Sequence, residues 1–595
     1  MTALIDLNAE LAAGAELQKN AAKGAASVAT KANLEKVLAQ APADQAPPKL
    51  AGLLKRAVRM IDQKGPAEGA RIALKALDLA PEHPLSNHVM ALCLERLGRL
   101  SKSLEFYERA WRLDPKNPEI YQNLGMVAWK LDMLDAAEKF IRLFAQMAPD
   151  SAAAAINLSG VLRDQGKFSD AIELLRAAIY RAPDNAELWN SLGTVLLEAG
   201  DPEQAATFYL EALRLKEGFS RAHHNLAYTL ELRGDVEGAV EHFKKALENP
   251  QSETDRITME HGLALTTLAL GKLEEGWQRY AIRLNPQFEA STFFQYGGKM
   301  WDGADPAALA GKTVLVSGEQ GLGDEIMFAQ MLPDIIEAVG PDGEVRLATE
   351  RRLVALMQRS FPQVKVACHY TVSREGREFR FAPDLTKDGK VDLWFPIANA
   401  CRSFRTRFED FAEGAFLTAD EELVEQFRAQ LAGFGPGLKV GLLWKSLKMT
   451  AKRTKFFSGF EAWKPVLTLP GIEFVNLQYG EVAAELARAK TEFGVTIHQP
   501  EGLDLKDDLD HVAALGTACD LVVGPMNATI NLTAASGGRA IVIQNQRRTW
   551  VNMGQDRLPW YPQIEVVYSD AFGNWGSLMD SLAARLSREA RSAAA

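Results

Sequence analysis

The sequence predicts an all-α superhelix followed by two successive α/β domains, and three observations predict it. A 34-residue period runs through the first half of the chain. Short apolar, β-branched segments alternate with helical ones through the second. Directly after the first of those segments comes a glycine-rich turn, Gly318-Glu319-Gln320-Gly321-Leu322-Gly323-Asp324-Glu325. A strand, a glycine turn and a helix start in that order form the place where open α/β sheets bind ligands. With 595 residues, 47% hydrophobic and 24% charged, the chain can build several cores. Its net charge of -10 argues against a nucleic-acid binder that relies on bulk positive charge. Cys93, Cys368, Cys401 and Cys519 lie far apart, with no CxxC and no nearby His pair, so neither a zinc site nor a disulfide framework is expected. The first residues carry an early acid rather than a basic and apolar leader, and no apolar run has membrane-spanning length. The expectation is a soluble, cytoplasmic protein.

Residues 1–49 are rich in Ala, Lys, Gln and Glu and close on Pro47-Pro48, which predicts a loosely docked helix and a linker. From 50 to 290 the chain repeats. Prolines fall at 81, 115, 149 and 183, glycines at 166, 200 and 234 with Gly98 two periods earlier, and small residues at Gly125, Ser159, Gly193 and Ala227. A helix-ending proline, a mid-repeat glycine and small residues where two helices touch, all at period 34, are the tetratricopeptide repeat (TPR) pattern. About seven helix pairs are expected, stacked into a superhelix whose concave groove holds a peptide or a protein. Asn123, Asn157 and Asn225 share one phase of the repeat. They are either an amide ladder for an extended acceptor backbone or a position that is merely polar.

Residues 291–418 form the first α/β domain, with strands expected at 313–316, 344–348, 364–367 and 392–396. Gly311-Lys312-Thr313 is not a phosphate loop, because it precedes its strand and residue 306 is Pro. An acidic helix and linker over 419–437 leads to the second domain, 438–595, with strands at 439–444, 471–478, 495–498, 520–524 and 540–543. Two such domains leave a cleft between them, and clefts bind ligands.

Three features of that cleft carry chemistry. The turn offers Glu319, Asp324 and Glu325 beside Gly321 and Gly323, either as a reactive site or as a helix cap. Lys445-Ser446 opens a run of five cations in eleven residues, 445–455, at a strand's carboxyl end, either a phosphate contact or a solvated loop. Gly524-Pro525-Met526-Asn527-Ala528-Thr529 follows a strand and opens a helix, so its N–H groups and hydroxyl suit a nucleotide phosphate. A carboxylate opposite an activated phosphate ester suits glycosyl transfer: the acid deprotonates an acceptor hydroxyl while cations and helix N–H groups stabilise the leaving phosphate. Asp508-Leu509-Asp510 reads as a solvated acidic face, so no metal is expected. A dinucleotide-binding enzyme with Glu350 on a ribose would need a GxGxxG that is absent.

The glycine turn after a TPR array, together with Gly441-Leu442-Leu443-Trp444-Lys445-Ser446, Asn476-Leu477-Gln478-Tyr479-Gly480 and Pro559-Trp560-Tyr561-Pro562, resembles the bacterial TPR proteins that carry a GT-B glycosyltransferase-like module. The resemblance implies a pair of Rossmann-type α/β domains. Gly323-Asp324 with Pro333 resembles the heptosyltransferase first-domain motif and implies Asp324 as base, with Glu319 in reserve. It implies Gly321, Gly323, Lys445, Ser446, Asn527 and Thr529 around the donor, with Gln478 on the nucleotide. The plan is similar to that of the eukaryotic O-GlcNAc transferase and, more closely, of the flagellin-modifying transferases of stalked alphaproteobacteria. That likeness implies flagellin as acceptor, Ser or Thr as acceptor residue, and a CMP-activated nonulosonic acid as co-substrate, with no further cofactor. Where relatives carry a later His, this chain has Asn531. The rival reading is a noncatalytic TPR adaptor or chaperone with a degenerate GT-B half.

Overall fold

The computed structural model describes residues 48–374, 377–446 and 449–594; the segment expected as a docked helix and linker lies outside them except for Pro48 and Lys49. Fourteen α-helices run in seven antiparallel pairs from Pro48–Lys64 to Leu273–Tyr280 among the described residues. In the first four pairs the second helix stops two residues before the periodic proline, as at Leu79 before Pro81 and Leu113 before Pro115. The turn within each pair takes a left-handed residue at Gly98, Gly166, Gly200 and Gly234. In the one pair that lacks the glycine Asp132 adopts it, at φ 60°, a conformation that short polar side chains tolerate. Asn117, Ser151, Asn185, Asp201, Asp235 and Ser252 cap helix starts through their side-chain oxygens. Each cap stabilises its helix by about 1 kcal/mol. At Gly193 a Cβ would stand 2.8 Å from the Tyr209 ring, which is why this face must be small.

The first domain holds β1 (Thr292–Phe294), β2 (Lys299–Met300), β3 (Thr313–Ser317), β4 (Glu344–Thr349), β5 (Lys365–Cys368), β6 (Tyr370–Arg374), β7 (Arg377–Phe381) and β8 (Leu393–Pro396). Its main sheet is wholly parallel in the order β2-β8-β3-β4-β5, and a small sheet β1-β7-β6 lies beside it. The second domain holds β9 (Leu438–Leu442), β10 (Ile472–Asn476), β11 (Ile497–His498), β12 (Leu521–Pro525), β13 (Ala540–Gln544) and β14 (Glu565–Tyr568). These six strands are all parallel in the order β11-β10-β9-β12-β13-β14, a doubly wound sheet whose winding reverses between β9 and β12. Central strands such as β3 and β12 are buried nearly throughout, hence their continuous apolar runs. Helix Glu421–Ala432 packs on helix Leu509–Ala518 and so belongs with the second domain. The last helix pair joins both domains in one apolar core, where Trp277, Phe328 and Phe411 surround Trp560.

Candidate functional site

Open α/β sheets bind ligands where the strand order reverses, at the carboxyl ends of the strands. In the first sheet that point lies between β3 and β8, and the turn 318–321 leaves β3 there. In the second it lies between β9 and β12, flanked by the loop that begins Leu443-Trp444-Lys445-Ser446 and by Met526-Asn527. The two crevices face one another. Helix Leu322–Phe328, which follows the turn, packs on helix Ala528–Ala535, and a Cβ at Gly323 would lie 3.1 Å from the Asn531 amide nitrogen and 3.9 Å from the Ala528 backbone nitrogen. Two helix N-termini, each with unpaired N–H groups and a partial positive charge, therefore converge on one spot.

Asp324 sits at that spot, half-buried, with one carboxylate oxygen accepting the Gly321 N–H at 3.2 Å. Burial raises its pKa to about 6, and the neighbouring carboxylates of Glu319 and Glu325 add to the rise against that one hydrogen bond. A carboxylate with a pKa near 6 and a solvent-facing edge is suited to accept a proton at neutral pH. The cleft also collects unpaired polar atoms. Asn527 Nδ2 and Asn531 Oδ1, in the first turn of the second helix, and the Tyr561 hydroxyl near Asp324 are buried with no hydrogen-bond partner. An unpaired buried polar group costs about 1–3 kcal/mol, so a cluster of them marks a surface suited to a polar ligand.

The other expected residues divide. Asn527 caps its helix through Oδ1 to the Ile530 N–H at 3.0 Å, leaving its amide group for a ligand, and Thr529 is buried in the same turn. Gly321 is exposed at the rim, and Ser446 is partly exposed beside Lys445. Glu319, expected as a reserve base, has both carboxylate oxygens engaged. Both its oxygens receive Arg283 at 2.8 Å and one also accepts the Ala398 N–H, so the carboxylate is a buried strut between the repeat array and β8. The Lys445 ammonium, expected on the donor phosphate, donates to the Glu481 carbonyl at 2.7 Å and pairs with Glu485. Gln478, expected near the nucleotide, is buried, and its side-chain oxygen accepts the N–H groups of Trp444 and Lys445. It shapes the loop after β9. Within the cationic run, residues 447 and 448 and the side chain of Lys452 lie outside the described residues. Asp510 pairs with Arg359 and ties the second domain to the first. Among the described residues no group of three or more His, Cys, Asp and Glu side chains converges to hold a metal ion.

First helices of successive pairs touch across repeats, which puts them on the concave side of the array. Asn123 and Asn225 lie on such helices, but their amides link neighbouring repeats, to His88 at 2.9 Å and to Asn190 at 3.0 Å. Asn157 is half-buried on helix Ala152–Asp164, in the pair after that of Asn123. The cleft and the groove adjoin: helix Ala451–Thr454 touches helix Ala152–Asp164, and Lys455 reaches Glu198 at 2.9 Å while lying 5.4 Å from the centre of the Tyr228 ring. Phe456 and Phe572 pack among the repeat side chains. Reasoning from sequence missed Arg283, Tyr561 and the unpaired face of Asn531. Only Asn531 carried a signal, as a departure from the pattern that the resemblance implies.

Tetratricopeptide-repeat family models match residues 86–117, 123–186, 159–218 and 192–254. Protein FlbA of Caulobacter vibrioides is 42% identical over 534 residues, covering 90% of this chain and 89% of that protein. The human protein O-mannosyl-transferase TMTC3 is 26% identical over 211 residues, covering 33% of this chain and 22% of that protein. Among solved structures, a tetratricopeptide repeat protein from Parabacteroides merdae superposes on 45% of this chain and 100% of its own, at 16% identity and a TM-score of 0.34. No helix of the described residues is long and apolar enough to cross a membrane. With identity of that level extending through the repeats and both α/β domains, the chain belongs to the FlbA family of TPR-containing proteins.

Proposed function

We propose that this chain is a protein O-glycosyltransferase of GT-B plan, acting in the cytoplasm, whose TPR groove presents a protein acceptor to the cleft between its α/β domains. The observation that carries the reading is Asp324, with a pKa near 6, opposite the N-terminus of helix Ala528–Ala535 and its unpaired Asn527 and Asn531 atoms. Asp324 takes the proton of a Ser or Thr hydroxyl as that oxygen bonds to the anomeric carbon of the donor. The bond from the anomeric carbon to the phosphate oxygen breaks, and the leaving nucleotide's negative charge falls to the helix N–H groups and the Asn527 amide. One partial relative is a protein O-mannosyl-transferase, which agrees with transfer to protein. Flagellin as acceptor and a CMP-nonulosonic acid as donor follow from the resemblance of the motifs. The test is intact-mass spectrometry of purified flagellin incubated with the full chain and CMP-nonulosonic acid. Repeated sugar-sized increments with the native chain, and none with Asp324→Asn, support it. An unmodified flagellin that still binds the chain overturns it.

That overturning outcome is the prediction of a second reading, a noncatalytic adaptor. Two observations favour it: Lys445 is neutralised by Glu485, and the helix tips touch at Gly323.

A further inference from the structure

Among the described residues three that are not glycine hold a positive φ: Asp132, Gln320 and Met553. Asp132 is accounted for by the mid-repeat turn. The other two stand on either side of the last helix pair, one in each α/β domain. The Met553 carbonyl faces Gly271 so closely that a Cβ there would lie 3.2 Å away, and a Cβ on Gly554 would lie 2.9 Å from the Ala269 carbonyl. Gln320, at φ 55°, is in the glycine turn itself, and its amide donates to the Tyr280 hydroxyl at 3.2 Å. Left-handed backbone disfavours an L-residue with a long side chain, so surrounding contacts have to hold it.

Tyr280 is well placed to do so because its own ring cannot move. It is buried, stacked on Trp550 at 6.2 Å and 23°, edge-on to Trp277 at 5.7 Å, and covered by the Arg283 guanidinium at 4.6 Å. Three consecutive turn residues are then pinned: Glu319 by Arg283, Gln320 by Tyr280, and Gly321 through its N–H to Asp324. We propose that Tyr280, a side chain of the last repeat helix, is a positioning residue for Asp324, holding Gln320 left-handed so that the carboxylate faces the cleft. The seventh helix pair is on this view part of the reacting unit as well as of the groove. The role assigned to Asp324 rests on the transferase reading; the hold on the turn does not.

The experiment uses the full chain as Tyr280→Phe, which removes the hydroxyl and keeps the ring, and as the same variant with Gln320→Gly, since glycine takes a positive φ without strain. Hydrogen exchange followed by mass spectrometry reads the amides of residues 318–325. Faster exchange in Tyr280→Phe, reversed by Gln320→Gly, supports the hold on the turn. Unchanged exchange, or a loss that glycine does not reverse, overturns it. Transfer to flagellin is read in parallel. A roughly tenfold fall in kcat with an acceptor KM within about twofold, and an acid limb moved to lower pH as water reaches Asp324, supports positioning. An unchanged pH profile and kcat overturns it. If the native chain shows no transfer, the transferase reading fails and with it the role for Asp324, while the exchange result still decides whether Tyr280 holds the turn.

Discussion

Gly323 of the first α/β domain and Asn531 of the second stand where the two helix tips meet, with only 3.1 Å between the Asn531 amide nitrogen and the place a Cβ on Gly323 would occupy. Gly323→Ala is expected to leave the helix intact, since alanine improves helix propensity by up to ~1 kcal/mol. The methyl group must push Asn531 aside by a few tenths of an ångström, or part the helices. Transfer should fall by about tenfold or more, because a displacement far below 1 Å already misaligns reacting groups. Asn531→Ala in the same background should restore the apposition, so steady-state rates across the four combinations will be non-additive if the contact is the cause.

Asp324 gives a pH prediction whose sign is opposite to that of an ordinary paired acid. Its pKa is about 6 in the folded chain, against 3.8 for an unperturbed aspartate. The folded state therefore binds the proton more tightly than the unfolded state, and folding is helped while Asp324 is protonated. That help is full below about pH 4 and is lost as pH rises through 6. Asp324→Asn should consequently be more stable than the native chain above pH 6 by thermal denaturation, with the difference vanishing near pH 4. As a base, Asp324 works ionised, so transfer should rise with pH through about 6. A variant that is inactive and also less stable at pH 7.5 would contradict this account.

The repeats were legible because a period of 34 is written in local terms: a proline after most second helices, a left-handed residue in the turns, a small residue where helices cross. Most parallel strands were legible for a related reason, since burial on both faces demands unbroken apolar runs; the edge strands β2 and β14, exposed or only half-buried, were not. The small sheet was not. β6 is exposed along its whole length and β7 alternates charged and aromatic residues, so neither reads as an apolar run. In the site, sequence gave position but not direction. Lys445 does follow β9, yet its ammonium turns toward Glu485, forty positions on, and Glu319 finds Arg283 thirty-six positions back. Such partners belong to tertiary packing and leave no local trace.

The ion pair of Lys445 with Glu485 separates two views of the donor site. A lysine that held phosphate as a point charge would weaken donor binding strongly when removed. Because this ammonium is already neutralised, Lys445→Ala should change the donor KM by less than about threefold. Asn527→Ala removes both the helix cap and the free amide group, and should raise the donor KM by about tenfold or more. Titrating the donor against each variant checks both. A reversed order would return Lys445 to the phosphate.

Arg283 and Glu319 allow stability and positioning to be measured apart. Their side chains are each 3% exposed, the pair is bidentate at 2.8 Å, and Asn399 and the Ala398 N–H fill the remaining hydrogen-bonding capacity. Breaking such a pair from one side strands a buried charge, which costs roughly 3–5 kcal/mol. Arg283→Met alone and Glu319→Leu alone should therefore each lower the urea midpoint of the module substantially. Replacing both with apolar residues of similar volume removes both charges, and pairs replaced in this way are often neutral or better. The double variant should recover most of the midpoint. It should not recover transfer, because Glu319 also accepts the Ala398 N–H and fixes the residue before Gln320; without that anchor the turn that carries Asp324 loses one of its three holds. Recovery of stability together with full activity would show that the pair serves folding alone. Recovery of stability without activity would locate the end of the repeat array inside the machinery of the cleft.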